Sequence, residues 1–262
     1  MPKASVNGTT LPYEVSGKGP PLLLIGGMLS DSATWLPVLP LLEPHFTVIR
    51  PDNRATGRHQ DVAPFTLPDC ADDLAALLDH LNLKDVHVAG HSMGGYLTLM
   101  LADRAPDRLA SLSLLASAAV NGHRNFELFN QVLKLRRAAD DGFWLRVLYL
   151  WLQSPAFFAD PQNLDDVIAA VANYPYAQSL TAMELQIDAL TGFAQRPPNT
   201  PLPCPIQAVL AGRDLLFPEP DARAALAPIP GLEVHAIAEA AHSIHWEAPA
   251  EVAAHLRRFA GV

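Results

Sequence analysis

Apolar residues follow two rhythms along this chain. Continuous runs such as "PLLLIG" (21–26) and "FTVIR" (46–50) have the length and make-up of strands buried on both faces. Between such runs the apolar positions fall at helical spacing. A helical stretch runs from Trp35 to Leu42, and "LPDCADDLAALLDHL" (67–81) sets Leu74, Leu77, Leu78 and Leu81 on one face. The acidic residues of that segment crowd its first turns, where the helix dipole favours negative charge. The alternation continues through "DVHVAG" (85–90), the helical "MGGYLTLMLADRA" (93–105) and "LASLSLLAS" (109–117). Strand–helix alternation of this kind predicts an α/β fold, a mostly parallel sheet with helices on both faces.

The rhythm changes near residue 120. From there to about residue 200 the pattern is helical throughout, as in "NFELFNQVLKLRRAAD", "FWLRVLYLWL", "LDDVIAAVANY" and "AQSLTAMELQIDALTGF". This stretch holds 11 of the 19 aromatic residues, which marks it as an apolar cover rather than a linker. A proline-rich connector, "RPPNTPLPCP" (196–205), closes it. Strand signals resume at "IQAVLAG" (206–212) and "LEVHAIA" (232–238), and "APAEVAAHLRRFAGV" ends the chain as a helix. The expected organisation is a core domain made of residues 1–119 and 201–262, interrupted by a helical lid at 120–200.

Composition narrows the partners. A chain of 262 residues suits one α/β domain with an insertion. The formal net charge of −9 argues against a nucleic-acid surface, which needs clustered positive charge. The richest apolar segment, "FWLRVLYLWL", is too short to cross a bilayer and carries Arg146, so no membrane partner is expected. The first residues lack the basic start and apolar core of a signal peptide. Cys70 and Cys204 stand far apart in no metal or redox motif, which fits reduced thiols and a cytoplasmic setting. No cofactor or metal is expected, and the sequence is silent on oligomeric state.

The chemistry gathers around "AGHSMGG". Gly90-His91-Ser92-Met93-Gly94 is a G-x-S-x-G match between a strand and a helix, the context of a nucleophile elbow. A serine projecting from so sharp a turn brings its flanks together, and only residues without a Cβ fit there. The serine needs a base, and the base an orienting acid. His87 and His91 precede Ser92 too closely to reach back to it. "AEAAHSIHWEAP" offers His242, with His245 as rival, in the loop between the last strand and the last helix. Asp214, two residues beyond the strand 206–212, is the candidate acid, with Glu239 as the fallback. Backbone N–H groups of Met93, after the serine, and Met28, after the first long strand, are the candidate oxyanion donors. Pocket-lining roles are expected for Gly27, His91, Trp144, Trp151, Phe217 and His245. Lys134, Arg136 and Arg137 are expected on a solvated helix face rather than against a substrate carboxylate.

These residues resemble the α/β-hydrolase superfamily, in its lid-bearing serine esterase and lactonase branch. The resemblance spans nearly the whole chain and rests on "LLLIGGM", "PDNRATGRH", "AGHSMGG", "LAGRDLLFP" and "AAHSIHWEAP". It implies the order Ser92, Asp214, His242. It favours His242 over His245, because the family's catalytic histidine precedes a Glu-x-Pro that opens the final helix. The family's usual His-Gly is here Gly26-Gly27, which removes one loop-bracing side chain. Its Arg-Gly-x-Gly is here Arg54-Ala55-Thr56-Gly57. A serine at position 92 argues against relatives that attack with a carboxylate. The activity implied is hydrolysis of esters or lactones of small apolar or aromatic acyl groups, with water as second substrate. Carbon–carbon bond hydrolases, cofactor-free haloperoxidase or perhydrolase chemistry, and a small-molecule receptor on the same fold are the alternatives.

Overall fold

The computed structural model describes residues 2–118, 122–139, 142–191, 193 and 198–262. Eight strands lie in one sheet: β1 (Lys3–Val6), β2 (Thr9–Gly17), β3 (Pro21–Ile25), β4 (Thr47–Pro51), β5 (Val86–His91), β6 (Leu109–Leu115), β7 (Ile206–Ala211) and β8 (Glu233–Ile237). Their order across the sheet is β1-β2-β4-β3-β5-β6-β7-β8. From β4 to β8 every pairing is parallel, while β2 runs antiparallel to both β1 and β4.

The apolar runs form central strands because both faces of the sheet are covered. In β3, Leu23 and Ile25 enter one buried cluster while Leu22 and Leu24 enter the other. The first cluster is completed by α2 (Leu67–His80) and α3 (Met93–Arg104), the second by α1 (Leu39–Leu42) and the C-terminal helix (Pro249–Ala260). Helix α2 starts where its sequence dictates. The Asp69 carboxylate accepts the Thr66 N–H at 2.7 Å, the Thr66 hydroxyl faces the Asp69 N–H at 3.4 Å, and Pro68 occupies the first turn.

Three elements differ from the sequence expectation. The N-terminal hairpin β1–β2 adds two antiparallel strands, turning at Asn7 and Gly8 with φ of +42° and +74°. The stretch from Trp35 to Leu42 is not one helix. It splits into a 3₁₀ turn at Ser32–Trp35 and the short α1, because Pro37 and Pro40 cannot donate the N–H groups a continuous helix needs. A further helix, α8 (Glu219–Leu226), fills the crossover between β7 and β8.

Between β6 and β7 the chain forms α4 (His123–Ala138), α5 (Phe143–Leu152), α6 (Gln162–Ala172) and α7 (Leu180–Thr191). The expected boundary at 119/120, and Arg196 and Pro197 of the connector, lie outside the described residues. Side chains of α4, α5 and α7, among them Val132, Trp144 and Ile187, continue the buried cluster on the α3 side of the sheet. Polar bonds add to this contact. The Tyr174 hydroxyl donates to Asp31 at 2.7 Å, and Gln60 bonds Tyr176, Ala177 and Ser179. Among the described residues no helix is long and apolar enough to cross a membrane. Since β3, β5, β7 and β8 run in parallel, the loops leaving their carboxyl ends share one edge of the sheet, beneath the insertion.

Candidate active site

Ser92 sits between β5 and α3 with φ +53° and ψ −118°. A left-handed φ in a residue with a side chain costs about 1–3 kcal/mol and persists only where the surroundings fix it. Here the Ser92 N–H donates to the Leu115 carbonyl at 3.0 Å. The Ser92 carbonyl accepts the Gly95 N–H at 2.9 Å and the Ser117 hydroxyl at 2.8 Å. The glycines permit the approach. A Cβ on Gly90 would stand 2.0 Å from the Gly94 carbonyl oxygen, and one on Gly94 2.2 Å from the Ile25 carbonyl oxygen.

Asp214 follows β7 and His242 follows β8. The His242 Nδ1–H donates to Asp214 Oδ2 at 2.9 Å, with both side chains almost wholly buried. Asp214 Oδ1 accepts the N–H groups of Leu216 and Phe217 at 2.8 and 3.0 Å. Burial alone would raise the Asp214 pKa. The His242 charge and hydrogen bond, with the two backbone donors, outweigh it and hold the carboxyl below its ordinary value. A donating Nδ1 leaves Nε2 of His242 as the proton-accepting nitrogen. Ser92 and His242 line the same cavity, of about 1290 Å³, and no hydrogen bond joins them in this structure. Such a bond is often long until substrate is seated.

Two more imidazoles crowd His242. The His91 ring lies 4.9 Å from that of His242 and 4.4 Å from that of His245, centroid to centroid. His91 Nε2–H donates to the His242 carbonyl at 2.8 Å. Burial, reinforced by the charge of His242, pushes the His91 pKa down to about 3. Burial and the same neighbours hold His245 well below its usual value. His245 Nε2 pairs with the Thr34 hydroxyl at 2.8 Å, a bracing position.

The other expected site residues divide between two spaces. Met28, Trp144, His91 and His245 line the large cavity. Met28, Ser92, Met93 and Phe217 surround a small recess beside the serine, of about 10 Å³. Gly27 lines neither space; its backbone passes close to Ser92, since a Cβ there would be 3.1 Å from Ser92 Cβ. Trp151 does not reach the cavity. Trp144, Leu145, Leu148, Tyr149 and Leu152 form the lining stripe of α5, Trp151 falls beyond its edge, and Arg124 stacks over its ring at 5.6 Å. Arg136 departs from the expected solvated face: it is buried, stacks over Trp144 at 4.7 Å and donates to the Gln178 carbonyl at 2.8 Å. Arg137 pairs with Glu184 at the surface. Glu239, the fallback acid, is exposed and pairs with Arg213.

Glu247 has a role that the single-residue search passed over. Its carboxylate accepts the Ala241 N–H at 2.6 Å and the Ser154 N–H at 2.7 Å, joining the His242 loop to the end of the α5 segment. Its signal is the Glu-x-Pro at 247–249. Among the described residues no group of three or more His, Cys, Asp or Glu side chains is arranged to hold a metal ion.

Comparison with known proteins agrees with this architecture. The proposed carbamate hydrolase RutD of Azorhizobium caulinodans is 30% identical over 224 residues, covering 83% of this chain and 82% of its own. The structure of a thermophilic esterase from Thermogutta terrifontis has a TM-score of 0.83 at 26% identity, covering 98% of this chain and 96% of that one. The enol-lactonase of Burkholderia xenovorans LB400 superposes over the full length of both chains with a TM-score of 0.83, and at 24% identity it speaks for the fold alone. The family model described as alpha/beta hydrolase fold matches residues 20–249, so the chain belongs to the α/β-hydrolase family.

Proposed function

We propose that the protein is a serine hydrolase that cleaves carboxylic esters or lactones through an acyl-enzyme on Ser92. The observation that carries the reading is the buried 2.9 Å bond from His242 to Asp214 beside a serine held at positive φ, both opening on one cavity. Ser92 Oγ attacks the carbonyl carbon while His242 Nε2 takes its proton. The N–H groups of Met28 and Met93, around the small recess, receive the oxyanion. His242 then hands the proton to the leaving alkoxide. Water repeats the sequence, giving its proton to His242 and releasing the acid. Asp214 keeps the imidazole in the required tautomer throughout.

Helices α4–α7 act as the lid over the core. The stripe on α5, with Ile168 and Val171 of α6, makes that wall apolar. It suits an aliphatic or aromatic acyl group better than a sugar. At about 1290 Å³ the cavity exceeds the usual range for small ligands, so it accepts acyl groups longer than acetyl. The similarity to RutD supports a second reading, a carbamate as the group attacked, because its carbonyl meets the same nucleophile and donors.

Ser92→Ala is the direct test. Turnover of p-nitrophenyl butyrate should fall by about a million-fold, the usual loss with a triad serine. Activity kept within about tenfold would remove Ser92 as the nucleophile. A rate panel of esters, lactones and carbamates then ranks the leaving groups.

A further inference from the structure

The loop that carries Met28 is fastened from the insertion above it. After β3 the backbone turns over Ser92 through Gly26 and Gly27, which have no side chains to hold it. On the core side, Asn53 Nδ2 donates to the Gly26 carbonyl at 3.3 Å. Two residues beyond Gly27, Leu29 has φ +61°. That conformation costs a branched residue about 1–2 kcal/mol, so something outside the loop must enforce it.

Gln186, in the middle of α7, supplies the enforcement. The Leu29 N–H donates to Gln186 Oε1 at 2.8 Å. At the other end of the same peptide group, the Ser30 hydroxyl reaches the Met28 carbonyl at 3.4 Å. The peptide between Met28 and Leu29 is therefore held at both edges, which restrains the backbone on the C-terminal side of Met28. Gln186 is itself fully buried and held in place. Its Oε1 also accepts from Gln178 Nε2 at 3.1 Å, and Gln178 donates to the Ala55 carbonyl at 2.6 Å. The chain of bonds runs from the loop at Ala55, through two amides of the insertion, to the loop at Met28.

We infer that Gln186 is a positioning residue for the reaction: by holding the Leu29 N–H it aims the Met28 N–H at the oxyanion, so the insertion assembles the oxyanion hole as well as roofing the cavity. The inference rests on the serine-hydrolase reading. Gln186 stands behind the wall of the cavity and acts through the loop, not on substrate. Its loss should therefore weaken binding of the tetrahedral state and leave ground-state binding alone.

The test uses Gln186→Met, which keeps the volume and removes the acceptor, with phenylboronic acid as a probe that forms a tetrahedral anionic adduct on a nucleophilic serine. In Q186M, kcat for p-nitrophenyl butyrate should fall by about ten- to a hundredfold, with KM within about threefold. The inhibition constant for the boronate should rise by about the same factor as kcat falls. Should Q186M fail to fold, Gln186→Asn, a methylene too short to reach Leu29, is held to the same figures. A folded variant that melts earlier but keeps kcat and boronate affinity within about threefold of the parent overturns the inference, since packing alone would do that. A parent protein that does not bind the boronate overturns the serine reading instead, and S92A reports that failure separately.

Discussion

Acid should destabilise this protein in part through His91, a ring that is 5% exposed and wedged between two other imidazoles. The native ring resists protonation until about pH 3, whereas its unperturbed value is 6.5. Between those values the unfolded chain binds a proton that the native state refuses. Stability therefore falls as pH falls through the window, and the contribution is intact above about pH 6.5. Each unit well inside the window costs about 1.4 kcal/mol, so acidifying from about pH 6.5 to about pH 4.5 removes about 2 kcal/mol through this ring alone. The comparison variant is His91→Asn, which does not titrate; it gives up the Nε2–H bond to the His242 carbonyl, a loss that is the same at both pH values. Urea unfolding of both proteins at the two pH values gives two losses, and their difference cancels the groups they share. The parent should lose about 2 kcal/mol more than H91N. Equal losses would mean that His91 takes up its proton normally in the folded state, and the account of a dry imidazole cluster would fall.

Two further substitutions probe the scaffold. Asp73→Ala should cost about 3–5 kcal/mol in chemical unfolding, because it strands Arg54, which Asp73 grips at 2.7 and 3.0 Å, and also loses the Asn7 amide. A change below about 1 kcal/mol would show that the pair is solvated like a surface bridge. Gly94→Ala should lower stability by about 1–3 kcal/mol and depress kcat, since its Cβ would stand 2.2 Å from the Ile25 carbonyl oxygen and push β3 off the elbow. An unchanged melting temperature would contradict that packing.

The core was readable wherever one physical constraint dominates. The runs at 21–26, 46–50 and 206–212 are apolar on consecutive residues because both faces of the sheet are covered, and β3, β4 and β7 formed there. The hairpin at the N-terminus carries a different signal, Asn7-Gly8, whose paired positive φ values suit a two-residue turn. Its first strand has only four residues and both strands are half exposed, so they lack the apolar runs that mark the others. Position in the α/β pattern was enough to bring Ser92, Asp214 and His242 to one edge of the sheet. The insertion was legible as helical and no further. Which face of α5 meets the cavity depends on how the helix is rolled against its neighbours, and Trp151 lies just off the stripe that begins at Trp144. Gln186 was invisible for a similar reason: a glutamine in a helix reads as surface until its partner, 157 positions away, is known. Ala55 shows the converse. It takes φ +63°, the left-handed geometry natural to the glycine expected there, so the backbone shape is kept where the sequence departs.

The imidazole cluster also bears on how the proposed base works. The proposed reaction would place a transient positive charge on His242, whose ring lies 4.9 Å from His91. Were His91 charged as well, two unit charges at that separation would repel by about 3 kcal/mol at an effective dielectric of about 20, more than two orders of magnitude in rate. Burial prevents this by holding both His91 and His245 neutral. Asp214 stays ionised despite its own burial and meets Nδ1 of His242 at 2.9 Å. The same desolvation that costs stability in acid thus keeps the two imidazoles beside His242 neutral while Asp214 remains charged. An H91N variant that lost acid sensitivity while keeping kcat would show the two effects to be separable, because asparagine is neutral at every pH. Replacing His91 with lysine would instead set a cation against the imidazolium, and kcat would fall even where the protein remained folded.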